Sequence, residues 1–292
     1  MKVNKYKVKS NGKLKISQLE TTSGSKKTDK EKLKSELTEI VSEIAQFQNK
    51  LYAENRQSLL IILQGMDGSG KDGTIKHIMN GVNPQGVLVH SFKHPSEMEL
   101  EHDYLWRHTQ KLPEKGQITI FNRSHYENVL IAKVHPELVL AERLPEITNI
   151  DKIDKQFWKS RYKQINYYEK NIIQNGTQII KFFLNISKEE QRNRFLERIA
   201  NKEKHWKFSS DDIKERVFWE QYTEAYEQAL NHTSTKYAPW YVIPADEKSP
   251  AHLIIVKIIL EKLKEMNPEF PQVGKEEKEL MLQAKKNLMN EK

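Results

Sequence analysis

Residues 65–74 form a glycine-rich stretch, GMDGSGKDGT, that fits the G-x-x-x-x-G-K pattern of a phosphate-binding loop. Such a loop points backbone N–H groups and a helix N-terminus at a phosphate, and its lysine, here Lys71, adds a positive charge. An apolar run precedes the loop and a helical pattern follows it, which is the context that a phosphate-binding loop requires. The alternative is an ordinary glycine-rich turn between a strand and a helix. Besides Lys71, the residues expected to contact phosphate are Gly65, Gly68, Gly70, Gly73 and Thr74.

Two carboxylates in this loop depart from the standard pattern. Position 72 is usually Ser or Thr, whose hydroxyl ligates magnesium, but here it is Asp72, and Asp67 adds a second acid. Carboxylates beside phosphates are repelled unless a metal or basic groups neutralise them, so both could ligate Mg²⁺ directly. Asp72 could instead pair with a basic side chain or hold an acceptor hydroxyl. Both acids could also merely cap the helix N-terminus.

A predicted buried strand leads into the sequence NRSHYE, which begins at Asn122. Ligands gather at the carboxyl ends of strands in an open α/β sheet. A typical phosphate-binding fold places Asp here for magnesium; Asn122 is a weaker, uncharged ligand, and Glu127 could supply the missing carboxylate. Arg123, planar and permanently charged, is suited to neutralise a phosphate. We expect His125 and Tyr126 to pack or form hydrogen bonds rather than to catalyse.

Residues 192–207 carry six arginine and lysine residues against two glutamates, which gives a local charge of +4. In kinases a mobile basic lid can close over the phosphates and stabilise the transferring group. A solvated helix face is the alternative, although Trp206 among the lysines argues against it. The residues expected to bind a polyanion are Arg194, Arg198, Lys204 and Lys207.

A second aromatic and basic stretch occurs at residues 104–107, which read YLWR. Arg107 could contact a nucleotide phosphate while an aromatic ring flanks the base. Packing of the tryptophan in the protein core is the alternative.

The elements that position these residues alternate between strand and helix patterns. Apolar strand patterns alternate with amphipathic helices, which indicates a parallel sheet covered on both faces. We therefore predict an α/β protein with one domain over residues 28–292, a helical lid at about 187–215 and a loosely held basic arm at 1–27. The strands are predicted at 59–63, 87–91, 118–121, 179–184 and 240–243, and the helices at 28–56, 71–80, 97–111, 125–133, 154–175, 187–200, 210–231, 249–266 and 275–290. A Thr28–Glu31 capping box is predicted to begin the first helix.

The composition restricts the class of protein. Lysine and arginine total 48 against 40 acids, a formal charge of +8, but residues 1–34 alone carry +8 and residues 35–292 hold 37 groups of each sign. The chain has no cysteine, which excludes disulfides and thiol catalysis. We find no apolar segment typical of a secretory signal or a membrane span, so we predict a cytoplasmic protein without a membrane partner.

These motifs together resemble the polyphosphate kinase 2 family. The resemblance runs from about residue 59 to 258 and rests on residues 65–74, 103–107, 121–127 and the stretch 186–207. It implies a three-layer P-loop kinase fold with a five-stranded parallel sheet, helices on both faces and a helical lid. It also implies reversible phosphoryl transfer between inorganic polyphosphate and a nucleotide, with Mg²⁺ as cofactor.

The resemblance further assigns roles to individual residues. It implies that Asp67 is a metal ligand, that Lys71 and Arg123 contact phosphates, and that Arg194 and Arg198 guide the polyphosphate. It also accounts for the Asp at position 72.

The Asn122 version of the motif is similar to the class III branch, whose members phosphorylate both AMP and ADP. Many relatives have Asp at position 122, so Glu127 becomes the second candidate metal ligand. Members form tetramers or dimers, and the resemblance favours a homotetramer.

We therefore predict a polyphosphate kinase that converts AMP and ADP to ADP and ATP. An ATP-dependent nucleoside-phosphate kinase is the nearest alternative. A nucleic-acid-binding P-loop protein is a second alternative, but the neutral body and the lack of a recognisable nucleic-acid module count against it. We accordingly predict AMP, ADP, ATP and polyphosphate as partners, and no nucleic acid.

Overall fold

A parallel β-sheet forms the centre of the protein. The computed structural model describes residues 3–10, 12–24 and 30–291. In these residues the sheet has five strands in the order β2-β3-β1-β4-β5, all parallel. The strands are β1 Ser58–Gln64, β2 Val87–Ser91, β3 Ile118–Asn122, β4 Thr177–Asn185 and β5 Trp240–Pro244. The predicted α/β class and the positions of the five strands are confirmed.

The helices lie before, between and after the strands, largely where the sequence places them. In chain order they are α1 Lys30–Glu54, α2 Lys71–Ile78, α3 Glu97–Leu100, α4 Trp106–Thr109, α5 Ile131–Val134, α6 Glu137–Leu140, α7 Lys155–Gln174, α8 Lys188–Ala200, α9 Ser210–Glu215, α10 Trp219–Thr233, α11 Lys248–Met266 and α12 Lys275–Asn290. The predicted capping residue Thr28 lies outside the described residues.

Three of the predicted helices are interrupted. The helix predicted at 210–231 is divided into α9 and α10 by a 3₁₀ turn, Arg216–Phe218. The helix predicted at 97–111 is wrong, because Asp103 Oδ1 accepts a hydrogen bond from the backbone N–H of Leu105 at 2.9 Å and starts a new turn. The helix predicted at 125–133 begins instead as a 3₁₀ turn, His125–Val129, before α5.

The sheet separates two apolar layers. Every residue of β1 is buried, and its central residues 59–63 are apolar without alternation. Leu59, Ile61 and Leu63 face one layer, which contains α1, α2 and α11, whereas Leu60 and Ile62 face the other, which contains α7, α10 and the 3₁₀ turn. This three-layer arrangement fixes the carboxyl ends of β1 and β3 in the middle of the sheet, where the predicted site residues begin.

The N-terminal segment is packed, so the prediction of a loosely held arm is wrong for its described residues. The backbone of Val8 donates to the Trp240 carbonyl oxygen at 2.8 Å, and Lys7 forms an antiparallel bridge with Tyr241. The segment thus covers the edge of β5, with apolar residues inward and lysines outward. The predicted boundary at residues 27 and 28 lies outside the described residues.

Helix α12 differs from the other long helices because all its residues are exposed, including Leu280, Met281 and Leu288. Among the described residues, no helix is long and apolar enough to cross a membrane.

Candidate active site

The glycine-rich loop connects β1 to α2, as the sequence predicts. Gly70 precedes α2 with φ at +99°, a left-handed conformation that glycine adopts without strain. A Cβ on Gly65 would lie 2.7 Å from Ser69 Oγ and 3.0 Å from the Leu184 carbonyl oxygen, so only glycine fits. These two glycines allow the chain to turn tightly against β4 and begin α2 at Lys71.

Lys71 lies inside the curve of the loop. Its Nζ donates to the carbonyl oxygens of Gly65 at 2.6 Å and Met66 at 3.2 Å. Burial, followed by the positive charge of Arg123, lowers the pKa of Lys71 to about 8. The ammonium therefore remains mostly charged at neutral pH and can bind an anion.

Arg123 joins the loop to the end of β3. Its Nη2 donates to Asp67 Oδ1 at 2.5 Å and its Nη1 to Glu127 Oε2 at 3.3 Å. The backbone of Arg123 has φ at +63°, uncommon for a side-chain-bearing residue, and its N–H donates to the Leu63 carbonyl oxygen. Glu127, against the opposing effect of burial, and Asp67 raise the pKa of Arg123 above its ordinary value. Three of the predicted site residues therefore form one ion-paired unit.

Asp72 and Asn122 form a second contact between the loop and β3. Asn122 Nδ2 donates to Asp72 Oδ1 at 3.0 Å and to Ser91 Oγ at 3.3 Å, while Lys207 Nζ lies 3.4 Å from Asp72 Oδ2. Burial raises the pKa of Asp72, but the hydrogen bond from Asn122 and the charge of Lys207 outweigh it, so the pKa lies below its usual value. Of the alternatives for Asp72, this geometry matches pairing with a basic side chain.

The oxygen atoms here suit a magnesium ion. Asn122 Oδ1 is buried and accepts no hydrogen bond from any described residue. No cluster of three or more His, Cys, Asp or Glu residues within the described ranges could hold a metal ion on its own. Mg²⁺ is commonly bound by one or two carboxylates completed by substrate phosphates and water, and Asp67 and Glu127 provide such carboxylates.

Arg194 has a different environment from the one that the basic pattern suggests. Its Nη1 donates to the carbonyl oxygens of Gly68 and Ser69 at 2.9 Å, and its Nη2 to those of Ala245 and Asp246. Its Nε donates to Glu190 Oε1 at 2.8 Å, so each guanidinium nitrogen is engaged, and the side chain is only 7% exposed. Arg194 clamps the back of the loop to the end of β5, a geometry that does not favour direct contact with polyphosphate.

The other predicted basic residues are more accessible. Arg198 pairs with Asp212 at 3.0 Å, Lys204 pairs with Glu197, and Lys207 reaches Asp72. The side chains of Lys204 and Lys207 are about two-fifths exposed. Because their acidic partners lie at the surface, these basic side chains can exchange those partners for phosphates.

Two cavities meet at Arg123 and Glu127, which line both of them. The first lies beside the glycine-rich loop and includes Asp67. Its walls also contain residues that the sequence did not indicate: Gln191, Asp212, Glu215, Arg216, Trp219, Tyr222 and Tyr226. Asp211 and Asp212 follow the Ser209 cap in the first turn of α9, a position where acidic residues are common in helices, so their place in the sequence alone does not indicate a site.

Asp212 is electrostatically coupled to the site. Burial, followed by the negative charge of Asp67, raises the pKa of Asp212 above its ordinary value, although Arg198 opposes the shift. The first cavity is therefore rich in carboxylates as well as arginines.

The second cavity is more apolar. Phe92, His108, Leu138 and Ala141 line it. Arg107 lines it too, donating from Nη1 to Glu99 at 3.0 Å and from Nη2 to the Lys93 carbonyl oxygen at 2.6 Å. The structure thus brings Arg107 to the same site as Arg123 and Glu127.

Comparison with known proteins identifies the family. The family model described as polyphosphate kinase 2 matches residues 27–271. The chain belongs to the polyphosphate kinase 2 family. The family predicted from the motifs is confirmed, and the protein is a phosphotransferase.

Relatives and solved structures agree with this membership. The chain is 47% identical over 249 residues to the ADP-polyphosphate phosphotransferase of Rhodopseudomonas palustris, covering 85% of each chain. It is 45% identical over 229 residues to the AMP/ADP-polyphosphate phosphotransferase of Meiothermus ruber, covering 78% of this chain and 80% of that one. The crystal structure of polyphosphate kinase 2 from Arthrobacter aurescens TC1 superposes with a TM-score of 0.83 at 32% identity, covering 95% of this chain and 98% of that one. The predicted P-loop kinase fold is confirmed.

Proposed function

We propose that this protein transfers phosphoryl groups from inorganic polyphosphate to AMP and ADP, reversibly and with Mg²⁺, to form ADP and ATP. The observation that carries the proposal is the position of Arg123 and Glu127 between a cavity beside the phosphate-binding loop and a second, apolar cavity. Two substrates can therefore approach one charged centre from two cavities. The similarity to an AMP/ADP-polyphosphate phosphotransferase supports both acceptors.

The reaction requires no covalent enzyme intermediate. A terminal phosphate oxygen of the acceptor attacks the terminal phosphorus of polyphosphate. The P–O bond to the remaining chain breaks, and the shortened polyphosphate keeps the bonding electron pair. Phosphoryl transfer depends chiefly on positioning and charge stabilisation. We assign these tasks to the loop glycines and Thr74 for binding, to Lys71 and Arg123 for charge stabilisation, and to Asp72 and Asn122 for joining the loop to β3.

Asp67 and Glu127 would hold the magnesium ion, whose bound form would neutralise phosphate charge. In the structure both carboxylates pair with Arg123, which lies between them.

The second cavity is our candidate for the nucleoside of the acceptor. Phe92 and His108 pack on each other with ring centroids 4.3 Å apart, and both residues line this cavity together with Arg107. The base of the acceptor nucleotide can bury its apolar surface against this wall while the phosphates of the nucleotide extend toward Arg123.

The polyphosphate would cross the lid. We assign its binding to Arg198, Lys204 and Lys207, whose long side chains suit a flexible polyanion. For Arg194 we propose an indirect contribution, because its nitrogens hold the carbonyl oxygens of Gly68 and Ser69.

The assembly and surroundings of the enzyme remain predictions. We propose a homo-oligomer, with a tetramer favoured by the resemblance, and the exposed apolar residues of α12 offer a surface for self-association. The cytoplasmic location and the lack of nucleic-acid and membrane partners remain predictions from the sequence.

A nucleotide assay with no added ATP tests the proposed function. Purified protein is incubated with AMP or ADP, Mg²⁺ and long-chain polyphosphate, and the nucleotides are separated by chromatography. We expect ADP and then ATP from AMP, and ATP from ADP. Parallel reactions with ATP and AMP but no polyphosphate test the alternative donor. Absence of polyphosphate-dependent product, or product only when ATP is the donor, would refute the proposal.

A further inference from the structure

A buried charged network lies beneath the turn that carries Glu127. Lys181 on β4 and Glu169 on α7 are both fully buried, and Lys181 Nζ lies 2.6 Å from Glu169 Oε2. The same ammonium donates to Tyr126 Oη and to the Thr233 carbonyl oxygen, each at 2.8 Å. Its hydrogen-bonding capacity is therefore used in three directions, which fixes its position.

Tyr126 links this network to the active site. Its hydroxyl donates to Glu169 Oε1 at 2.7 Å while accepting from Lys181. The ring is buried and packs edge-to-face on Trp240 at 4.6 Å. Tyr126 immediately precedes Glu127 on the 3₁₀ turn that follows Arg123. The fixed phenol therefore restrains the backbone that bears the candidate metal ligand.

The pKa values of Lys181 and Glu169 both lie below their ordinary values. For Lys181, burial outweighs the opposing charge of Glu169. Burial raises the pKa of Glu169, but Lys181 and the nearby His125 outweigh burial, so the pKa lies below its ordinary value. Burying an ion pair is weak support for stability, because the desolvation penalty can match the Coulombic gain. The pair can instead orient Tyr126 through directional hydrogen bonds, which an apolar pair cannot form.

We propose that Tyr126, Glu169 and Lys181 are positioning residues that hold Arg123 and Glu127 at the reacting phosphates. This inference rests on the proposed function. The three residues would act through the 3₁₀ turn, because none of them lines either of the two cavities.

Two matched variants test the network. Tyr126→Phe removes one hydroxyl from it, whereas Tyr162→Phe removes a hydroxyl from a tyrosine of the same apolar layer that has no hydrogen bond to any described residue. We expect Tyr126→Phe to lower kcat by roughly 10- to 100-fold with little change in either KM, as loss of a supporting hydrogen bond does at other sites. Tyr162→Phe should behave like the wild type.

Hydrogen exchange provides a second measurement that needs no substrate. The amide of Glu127 donates to the Ser124 carbonyl oxygen, and Tyr126→Phe should accelerate exchange in peptides spanning residues 122–130. Exchange unchanged from wild type, or equal acceleration in Tyr162→Phe, would overturn the inference. Because this comparison requires no turnover, its failure is distinguishable from failure of the proposed function, which the wild-type assay measures.

A double-mutant cycle tests the route through Glu127. If Tyr126 acts by holding Glu127, Tyr126→Phe should cost much less in a Glu127→Gln background than in the wild type. Fully multiplicative losses would contradict this route. Lys181→Met combined with Glu169→Leu removes both charges without leaving an unpaired ion, so the fold should persist with the same loss of kcat. Wild-type kcat in this folded double variant would also overturn the inference.

Discussion

Arg123 combines two unusual features at the single-residue level. It adopts a left-handed backbone conformation and it bridges two carboxylates that belong to different elements. A non-glycine residue in this conformation costs on the order of 1 kcal/mol, a cost that persists where surrounding contacts enforce it. In Arg123 the contacts are Asp67, Glu127 and the Leu63 carbonyl oxygen. The strained residue therefore lies at the proposed centre of phosphoryl transfer.

We expect Arg123→Lys to lower kcat by roughly 100-fold or more, because lysine lacks the planar fork that addresses two oxygens together. Steady-state kinetics with ADP and polyphosphate measure the effect. Arg143→Lys is a matched control, because Arg143 also has positive φ, at +53°, and pairs with Glu101 outside the two cavities. Equal kcat in the two variants would remove Arg123 from the reaction centre.

Lys71 should give the enzyme an alkaline limit. Its pKa is lowered to about 8, so the free enzyme carries the charged ammonium below that pH and loses it above. We expect kcat/KM, which reports free-enzyme ionisations, to fall as the pH rises through about 8. Lys71→Arg should lack this decline, because arginine stays charged, whereas Lys71→Ala should lose nearly all activity. An alkaline decline that persists in active Lys71→Arg would assign it to another group.

At the level of elements, the predicted lid carries two kinds of basic residue. Arg194 on α8 is buried and holds the loop, whereas Lys204 and Lys207 lie on the following 3₁₀ turn, Lys202–Lys207, with exposed side chains. The first kind should affect the geometry of the loop, and the second should affect attraction of the polyanion.

We expect Lys204→Gln combined with Lys207→Gln to raise the KM for polyphosphate and leave that for ADP almost unchanged. The dependence of log(kcat/KM) on log salt should weaken by roughly one per lysine, by the counterion release known for nucleic acids. Kinetics at several salt concentrations provide the measurement. Lys278→Gln with Lys285→Gln on exposed α12 is the control. The same salt dependence in both double variants would exclude specific binding by the lid lysines.

The sequence predicts these elements where local chemistry determines them. The apolar strands and the glycine-rich loop are recognisable because burial on both faces and tight turns restrict residue types. The break at Asp103 depends on a side-chain hydrogen bond, and the clamp formed by Arg194 depends on carbonyl groups 51 and 126 residues away in the chain. Neither of these contacts can be predicted from sequence spacing. The sequence pattern of Arg194 therefore resembles that of the exposed basic residues nearby.

At the level of the whole molecule, the structure changes the interpretation of the +8 charge. The lysine-rich N-terminal segment covers the β5 edge, with Val3, Tyr6, Val8 and Ile16 buried. Its alternation of lysine and apolar residues over 5–9 is the pattern of a half-buried extended segment, which the overall charge obscured. Sheet edges left open invite association with other chains, so this cover also protects the molecule.

Deleting residues 1–24 should therefore lower Tm, not merely remove charge. Each of the four buried side chains contributes about 1.5–3 kcal/mol, partly offset by the entropy of ordering the segment. A variant with glutamine at Lys5, Lys7 and Lys9, whose side chains are exposed, should keep the wild-type Tm. Thermal unfolding of both proteins makes the comparison. Equal Tm for the deletion and the wild type would mean that this packing is not stabilising.

The central claim is direct transfer of phosphoryl groups from polyphosphate to a nucleotide at the Arg123 and Glu127 site. ³¹P NMR of wild-type protein with ADP, Mg²⁺ and long-chain polyphosphate follows donor and product together, with Lys71→Ala as the inactive control. We predict that the γ-phosphate signal of ATP grows in step with loss of the internal polyphosphate signal, without a matching release of free phosphate. Conversion of polyphosphate to free phosphate without ATP, or no change in either signal, would contradict the claim.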